Sequence, residues 1–185
     1  MNQSFKLSKQ LSFGEELANS ITHAVGSALM LILLPISAIY SYQAYGVKAS
    51  VGVSIFVISL FLMFLSSTIY HAMSYNSPQK YVLRIIDHSM IYIAIAGSYT
   101  PVALSLVGGW LGYLIIVLQW GTTIFGILYK IFAKKINDKF SLFLYLLMGW
   151  LVIFIFPAII TKTGPAFRLL MLAGGLSYTI GSVFY

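Results

Sequence analysis

Six long apolar stretches, separated by short polar breaks, constrain the fold of this chain more than any other feature of its sequence. An α-helix that crosses the ~30 Å hydrocarbon core of a bilayer needs about 20 mostly apolar residues, and each stretch is long enough. Charged residues make up 8% of the chain and the mean hydropathy is +0.91, whereas about a quarter of the residues in a soluble domain are charged. The sequence therefore predicts an all-α, polytopic transmembrane bundle that forms a single domain over residues 1–185.

The predicted spans follow a polar N-terminal segment, residues 1–23. They cover residues 24–45, 51–73, 83–107, 111–132, 140–160 and 166–185.

The Lys and Arg residues predict the orientation of these spans. Eight of the eleven lie in the N-terminal segment or beside the connections on the same side of the membrane, and three lie on the other side. Because short cytoplasmic segments carry the excess of Lys and Arg, we expect the N-terminus in the cytoplasm.

The net charge of +7 does not indicate a nucleic-acid partner, because no basic stripe with interleaved aromatic residues is present. The expected partners are membrane lipids. The chain has no Cys, which excludes disulfides and thiolate metal sites.

Local patterns predict several details of the helices. Ser12 and Glu15 match a capping box at a helix start. Pro101 removes one backbone hydrogen bond late in the third span, so we expect a local kink there, beside small residues such as Gly97 that allow close helix packing. The pair Gly108 and Gly109 predicts a tight hairpin.

The scarce ionisable residues are concentrated at one membrane face. In the predicted topology all three His and all four acids lie at the cytoplasmic ends of the spans or beside them. They are His23, His71, His88, Glu15, Glu16, Asp87 and Asp138. Such groups are costly in a membrane unless they are paired, and they usually face the bundle interior. Imidazole and carboxylate groups are ligands suited to Zn²⁺.

Ser67, His71 and Asp87 are the candidate site residues. Ser67 and His71 are spaced i, i+4, so they project from one face of a helix. We expect His71 to bind the metal, Asp87 to hold or activate its water, and Ser67 to support the site. We expect structural roles for His23 and for His88, because His88 adjoins Asp87 and adjacent helical residues point about 100° apart.

Three segments resemble the bacterial hemolysin III proteins, which belong with the progestin and adipoQ receptors, the adiponectin receptors among them. The segment from Glu16 to His23 resembles the motif before their first span. The segment from Ser67 to His71 matches their S-x-x-x-H motif, and the stretch from Arg84 to Pro101 resembles their third-span signature.

This resemblance implies a seven-helix fold in the bacterial plasma membrane, with zinc near the cytoplasmic face. It assigns His71 as one zinc ligand, Asp87 as the residue that approaches zinc through water, and Ser67 as part of the motif. The other two ligands belong to an H-x-x-x-H motif on a seventh span, which this sequence does not contain. The 185 residues alone are therefore expected to bind zinc weakly or not at all, unless a complementing C-terminal helix or a second copy of the chain completes the site.

The leading functional hypothesis is a zinc-dependent hydrolase-type site that acts on a lipid amide or ester from the cytoplasmic leaflet, since the related membrane ceramidases hydrolyse a lipid amide at a similar metal site. A non-enzymatic cytolysin or pore is an alternative, although residues 55–65 are apolar apart from Ser59 and form no polar stripe. A sensor or regulator of membrane lipid homeostasis is the third hypothesis, and it could share the same metal site.

Overall fold

The computed structural model describes residues 10–75, 77–133 and 136–183, and within these ranges it is almost entirely helical, with no strand. The predicted all-α fold class is confirmed. The α-helices are α1 (Phe13–Tyr45), α2 (Val47–Ala72), α3 (Pro78–Pro101), α4 (Gly109–Phe132), α5 (Asp138–Trp150), α6 (Val152–Ile159) and α7 (Pro165–Ser182).

Five helical stretches are long and apolar enough to cross a membrane. They are Phe13–Tyr45, Val47–Ala72, Pro78–Val107, Gly109–Phe132 and Asp138–Lys162. The predicted sixth span corresponds to α7, which has 18 residues and lies outside this set of five. The described helices turn large apolar side chains outward, while the buried residues of α1 are Ser27 and Ser41. Lipid is the solvent that such a surface fits.

The first helix starts well before the predicted first span. It has 33 residues, about 50 Å at 1.5 Å per residue, and so exceeds the ~30 Å hydrocarbon core. The predicted capping box is confirmed, since the Ser12 backbone N–H donates to Glu15 at 2.7 Å and the Glu15 N–H donates to the Ser12 hydroxyl at 3.3 Å. This cap sets the first turn of α1 and with it the position of Glu16.

Small residues bring the backbones of α2 and α3 close together. A Cβ added at Gly52 would lie 2.7 Å from the Cα of Pro101, and one added at Gly97 would collide with the Ser59 side chain. Close approach through small residues is how membrane helices gain van der Waals contact when both partners are equally apolar. The structure thus supports the packing role predicted for Gly97.

At Pro101, where a local kink was expected, the α-helix changes to a wider helix. Residues Val102–Val107 continue α3 as a π-helix, closed by a hydrogen bond from the Gly108 N–H to the Ala103 carbonyl at 3.0 Å. Gly108 and Gly109 then adopt φ values of 67° and 56°, which side chains disfavour. The predicted tight hairpin between the third and fourth spans is confirmed.

The predicted fifth span is interrupted in the structure. Leu151 separates α5 from α6, and a 3₁₀ turn at Ile160–Lys162 follows. Two side chains from other helices bond carbonyls just before this break: Tyr99 donates to Gly149 at 2.6 Å and Gln119 donates to Met148 at 3.0 Å. Carbonyls that leave the regular ladder need such partners in lipid, so the break is supported from α3 and α4.

The helices alternate in direction, so the first turns of α1, α3 and α5 lie at the same end of the bundle as the last turns of α2 and α4. We call this end the His71 end. The Tyr145 hydroxyl donates to the His88 carbonyl at 2.6 Å and fastens α5 to α3 near it. The predicted site residues lie at this end.

Candidate functional site

The structure brings Ser67, His71 and Asp87 together across the interface of α2 and α3. Ser67 is buried, with 5% of its surface exposed, and its hydroxyl lies close enough to the Asp87 carboxylate for a hydrogen-bonding interaction. His71, one helical turn further along α2, is near enough to Asp87 for their charges to interact. The i, i+4 spacing on α2 therefore places both side chains beside Asp87, while the roles predicted for the three residues stay predictions.

The imidazole of His71 is held by a residue from α1. Its Nδ1 lies 2.7 Å from Oε2 of Glu16, and both side chains are mostly buried. A carboxylate oxygen only accepts hydrogen bonds, so Nδ1 must carry the proton in this contact. The contact fixes the tautomer and the ring orientation, and Nε2 remains as the ring atom available to a ligand.

Lys80 completes this arrangement from α3. Its Nζ donates to Oε1 of Glu16 at 2.6 Å and to the Met73 carbonyl at 3.0 Å, and the residue is only 1% exposed. The ammonium also lies 5.1 Å from the centre of the Tyr70 ring, a cation–π distance. One carboxylate thus joins the start of α1, the end of α2 and the start of α3.

The sequence analysis did not identify Glu16 or Lys80 as site residues. A signal was nevertheless present, because the capping box uses Glu15 and leaves the adjacent Glu16 pointing about 100° away around the helix. In the sequence, Lys80 stands out only as one of the basic residues that predict the orientation of the chain in the membrane. Its burial depends on the path of the connection after α2, which the sequence pattern does not specify.

The imidazole ring of His23 lies beside that of His71. Its ring centre is 6.2 Å from that of His71 and 5.7 Å from that of Phe64. Its Nδ1 is buried, and no hydrogen-bond partner for it occurs in the described part of the chain. His23 follows Glu16 by seven residues, or two turns, and therefore lies on the same face of α1.

His88 lies at the edge of this group. Its Nδ1 bonds the Arg84 carbonyl at 2.9 Å and lies 3.7 Å from the Asp87 carboxylate, and its ring lines a separate small cavity between α3, α4 and α5. The structural role expected for His88 stays a prediction.

The described residues do not by themselves form a metal centre. No group of three or more His, Asp or Glu side chains suited to holding a metal occurs within residues 10–75, 77–133 and 136–183, and Cys is absent from the sequence. A bound zinc needs three or four protein ligands. The Nε2 atom of His71 offers one, and the Asp87 carboxylate lies beside it.

Comparison with known proteins matches most of the chain. The profile of the family described as "Haemolysin-III related" matches residues 11–185. The chain is 40% identical over 172 residues to a Bacillus subtilis (strain 168) protein named "Hemolysin-3 homolog", covering 92% of this chain and 80% of that protein. It is 39% identical over 172 residues to "Hemolysin-3" of Bacillus cereus, covering 92% and 78%. No solved structure matches.

Removing the charge of Glu16 should destabilise the bundle. Glu16→Gln leaves the buried ammonium of Lys80 without a carboxylate, and breaking a buried ion pair costs about 3–5 kcal/mol. Because Glu16 is 16% exposed, we expect a smaller loss, about 2–3 kcal/mol in the free energy of unfolding. Unfolding by SDS in mixed micelles measures it.

The control is Glu15→Gln, one residue away in the exposed capping box, which should cost less than about 1 kcal/mol. In the double variant Glu16→Gln, Lys80→Met the apolar side chain removes the unpaired charge, and part of the stability should return. Strictly additive losses for the two substitutions would show that Glu16 and Lys80 do not stabilise each other.

Proposed function

Because this chain belongs to the haemolysin-III related family, we propose that the His71 end holds a zinc-dependent, hydrolase-type site for a lipid amide or ester. One observation carries the proposal: Ser67, His71 and Asp87 converge at one end of a membrane bundle, and Glu16 orients the His71 ring. Ionisable groups within membrane helices are rare and usually serve function.

Each residue has a distinct role in this proposal. His71 binds the metal through Nε2, since Nδ1 is committed to Glu16. Asp87 accepts a hydrogen bond from a water and orients it, while the Ser67 hydroxyl steadies the carboxylate. Zinc at such a site makes a bound water acidic enough to attack a carbonyl carbon. The described residues provide too few ligands alone, so the proposal requires further His ligands, which the family resemblance assigns to a seventh span.

We place the His71 end at the cytoplasmic face of the bacterial plasma membrane. The support is the distribution of Lys and Arg, eight of which lie in or beside the segments at this end and three at the other. A lipid substrate would then enter from the cytoplasmic leaflet.

Lysis of other membranes is the second candidate function. It is favoured by the printed names of the relatives, "Hemolysin-3" and "Hemolysin-3 homolog". The two functions differ in their need for His71, since leakage through a pore requires no metal ligand. Dye release from vesicles should therefore be unaffected by His71→Ala if the protein acts as a pore.

Metal content tests the proposed ligand. When a complementing C-terminal helix supplies the remaining His ligands, His71→Ala should reduce bound zinc at least about tenfold, because one ligand is lost, and should abolish hydrolysis of a fluorescent N-acyl lipid. Asp87→Asn should retain zinc and lose hydrolysis. Elemental analysis by mass spectrometry and product chromatography measure the two effects.

The matched control is His88→Ala, which removes the imidazole next to Asp87 in sequence, whose Nδ1 bonds the Arg84 carbonyl, and should leave zinc content unchanged. Equal zinc loss from the His71 and His88 variants would refute the assignment of His71. Hydrolysis that persists in His71→Ala would refute the metal-dependent activity.

Orientation is tested by cysteine labelling, which has no background because the chain lacks Cys. Lys139 and Lys48 are both exposed and lie at opposite ends of the bundle. In intact cells Lys139→Cys should not react with an impermeant maleimide, whereas Lys48→Cys should. The opposite labelling pattern would place the His71 end outside the cytoplasm.

A further inference from the structure

Lys130 is a buried cation that the proposed site does not use. It lies in the last turn of α4 and is only 3% exposed. Its ammonium lies 5.8 Å from the centre of the Tyr145 ring, and no carboxylate among the described residues forms an ion pair with it. The charges of Asp138 and Asp87 act on Lys130 without forming an ion pair with it. A buried Lys without a directly paired carboxylate is costly in a membrane protein, and such a residue usually serves a ligand or a transport path.

A small cavity adjoins Lys130 at the His71 end. Its volume is about 60 Å³, and its lining includes Tyr81, Arg84 and His88 from one face of α3, Lys130 from α4 and Asp138 from α5. A space of this size holds several waters and is therefore large enough for a phosphate group. Ser67, His71 and Asp87 are not among its lining residues, although the Asp87 carboxylate lies 3.7 Å from Nδ1 of His88.

The charges that line this cavity favour an anion. Arg84 and Lys130 contribute two positive charges, and Asp138 is the only acid among the lining residues. The Asp138 carboxylate lies 3.4 Å from the Arg84 guanidinium and is 49% exposed, so solvent weakens that ion pair.

From this geometry we infer that the cavity between α3, α4 and α5 binds a phosphate group, held by the Lys130 ammonium and the Arg84 guanidinium. Arg offers a planar fork of donors that matches phosphate oxygens, and Lys is a common phosphate ligand as a point charge. Tyr81 also lines the space.

The favoured source of this phosphate is the headgroup of an anionic lipid. The cavity lies among helix ends, where headgroups are found, and basic pockets between transmembrane helices bind such headgroups. Free inorganic phosphate has the same chemistry, so the experiment must separate the two. The inference does not depend on the proposed hydrolase, because it uses neither His71 nor Asp87.

Native mass spectrometry of the full chain with added phosphatidylglycerol tests the inference. We expect the unmodified protein to retain one lipid tightly and Lys130→Met to bind it about tenfold more weakly, the loss of one hydrogen bond to a charged group. Lys48→Met, an exposed Lys at the opposite end, is the matched control and should bind as tightly as the unmodified protein.

Asp138→Asn is a second variant, for which we expect the opposite change in lipid binding. It tests the inference even if Lys130→Met does not fold. It removes the acid that competes for Arg84 and should tighten phosphatidylglycerol binding. Displacement of the lipid by millimolar inorganic phosphate would identify free phosphate as the ligand, whereas retention would identify the lipid headgroup. Equal lipid retention by the unmodified protein, Lys130→Met and Asp138→Asn would overturn the inference.

Discussion

The structure depends on the requirement that polar groups in a lipid-exposed bundle find partners within the bundle. At the His71 end a single carboxylate, Glu16, meets this requirement for two helices at once: it accepts from the His71 ring and from the Lys80 ammonium, at 2.7 and 2.6 Å. Without it, the buried charge of Lys80 would keep the Met73 carbonyl and the Tyr70 ring as partners but no carboxylate. The ends of α1, α2 and α3 are therefore joined by charge, while their middles are joined by close contact between small residues.

Helix α3 separates two chemical environments with adjacent residues. Asp87 faces α2, where it meets Ser67 and His71, whereas His88 faces α4 and α5, where its ring lines the cavity beside Lys130. Successive helical side chains point about 100° apart, so one turn of helix contributes to both the proposed metal site and the inferred phosphate site, which adjoin where Nδ1 of His88 lies 3.7 Å from the Asp87 carboxylate. The two sites would then be fixed relative to each other by the rigidity of α3.

The sequence predicted what depends on regular periodicity. Apolar length predicted the first five spans, whereas the predicted sixth, α7, lies outside the five helical stretches that are long and apolar enough to cross a membrane. The tight hairpin at Gly108 follows from glycine, and the position of Ser67 beside His71 follows from i, i+4 spacing. The sequence did not predict the partner of His71, because that contact depends on how far α1 extends beyond the first span and how it is rotated. The interruption at Leu151 was also missed, since its support comes from side chains of α3 and α4 that no local pattern reveals.

The contact between Glu16 and His71 positions the His71 ring, and the protonation state of that ring tests the contact most directly. Solid-state NMR of protein labelled with ¹⁵N-histidine in lipid bilayers reports which nitrogen carries the proton, and His71→Ala assigns the signal. We expect a strongly hydrogen-bonded proton on Nδ1 of His71, and we expect its signal to change in Glu16→Gln. A proton on Nε2 alone, unaffected by Glu16→Gln, would contradict this expectation.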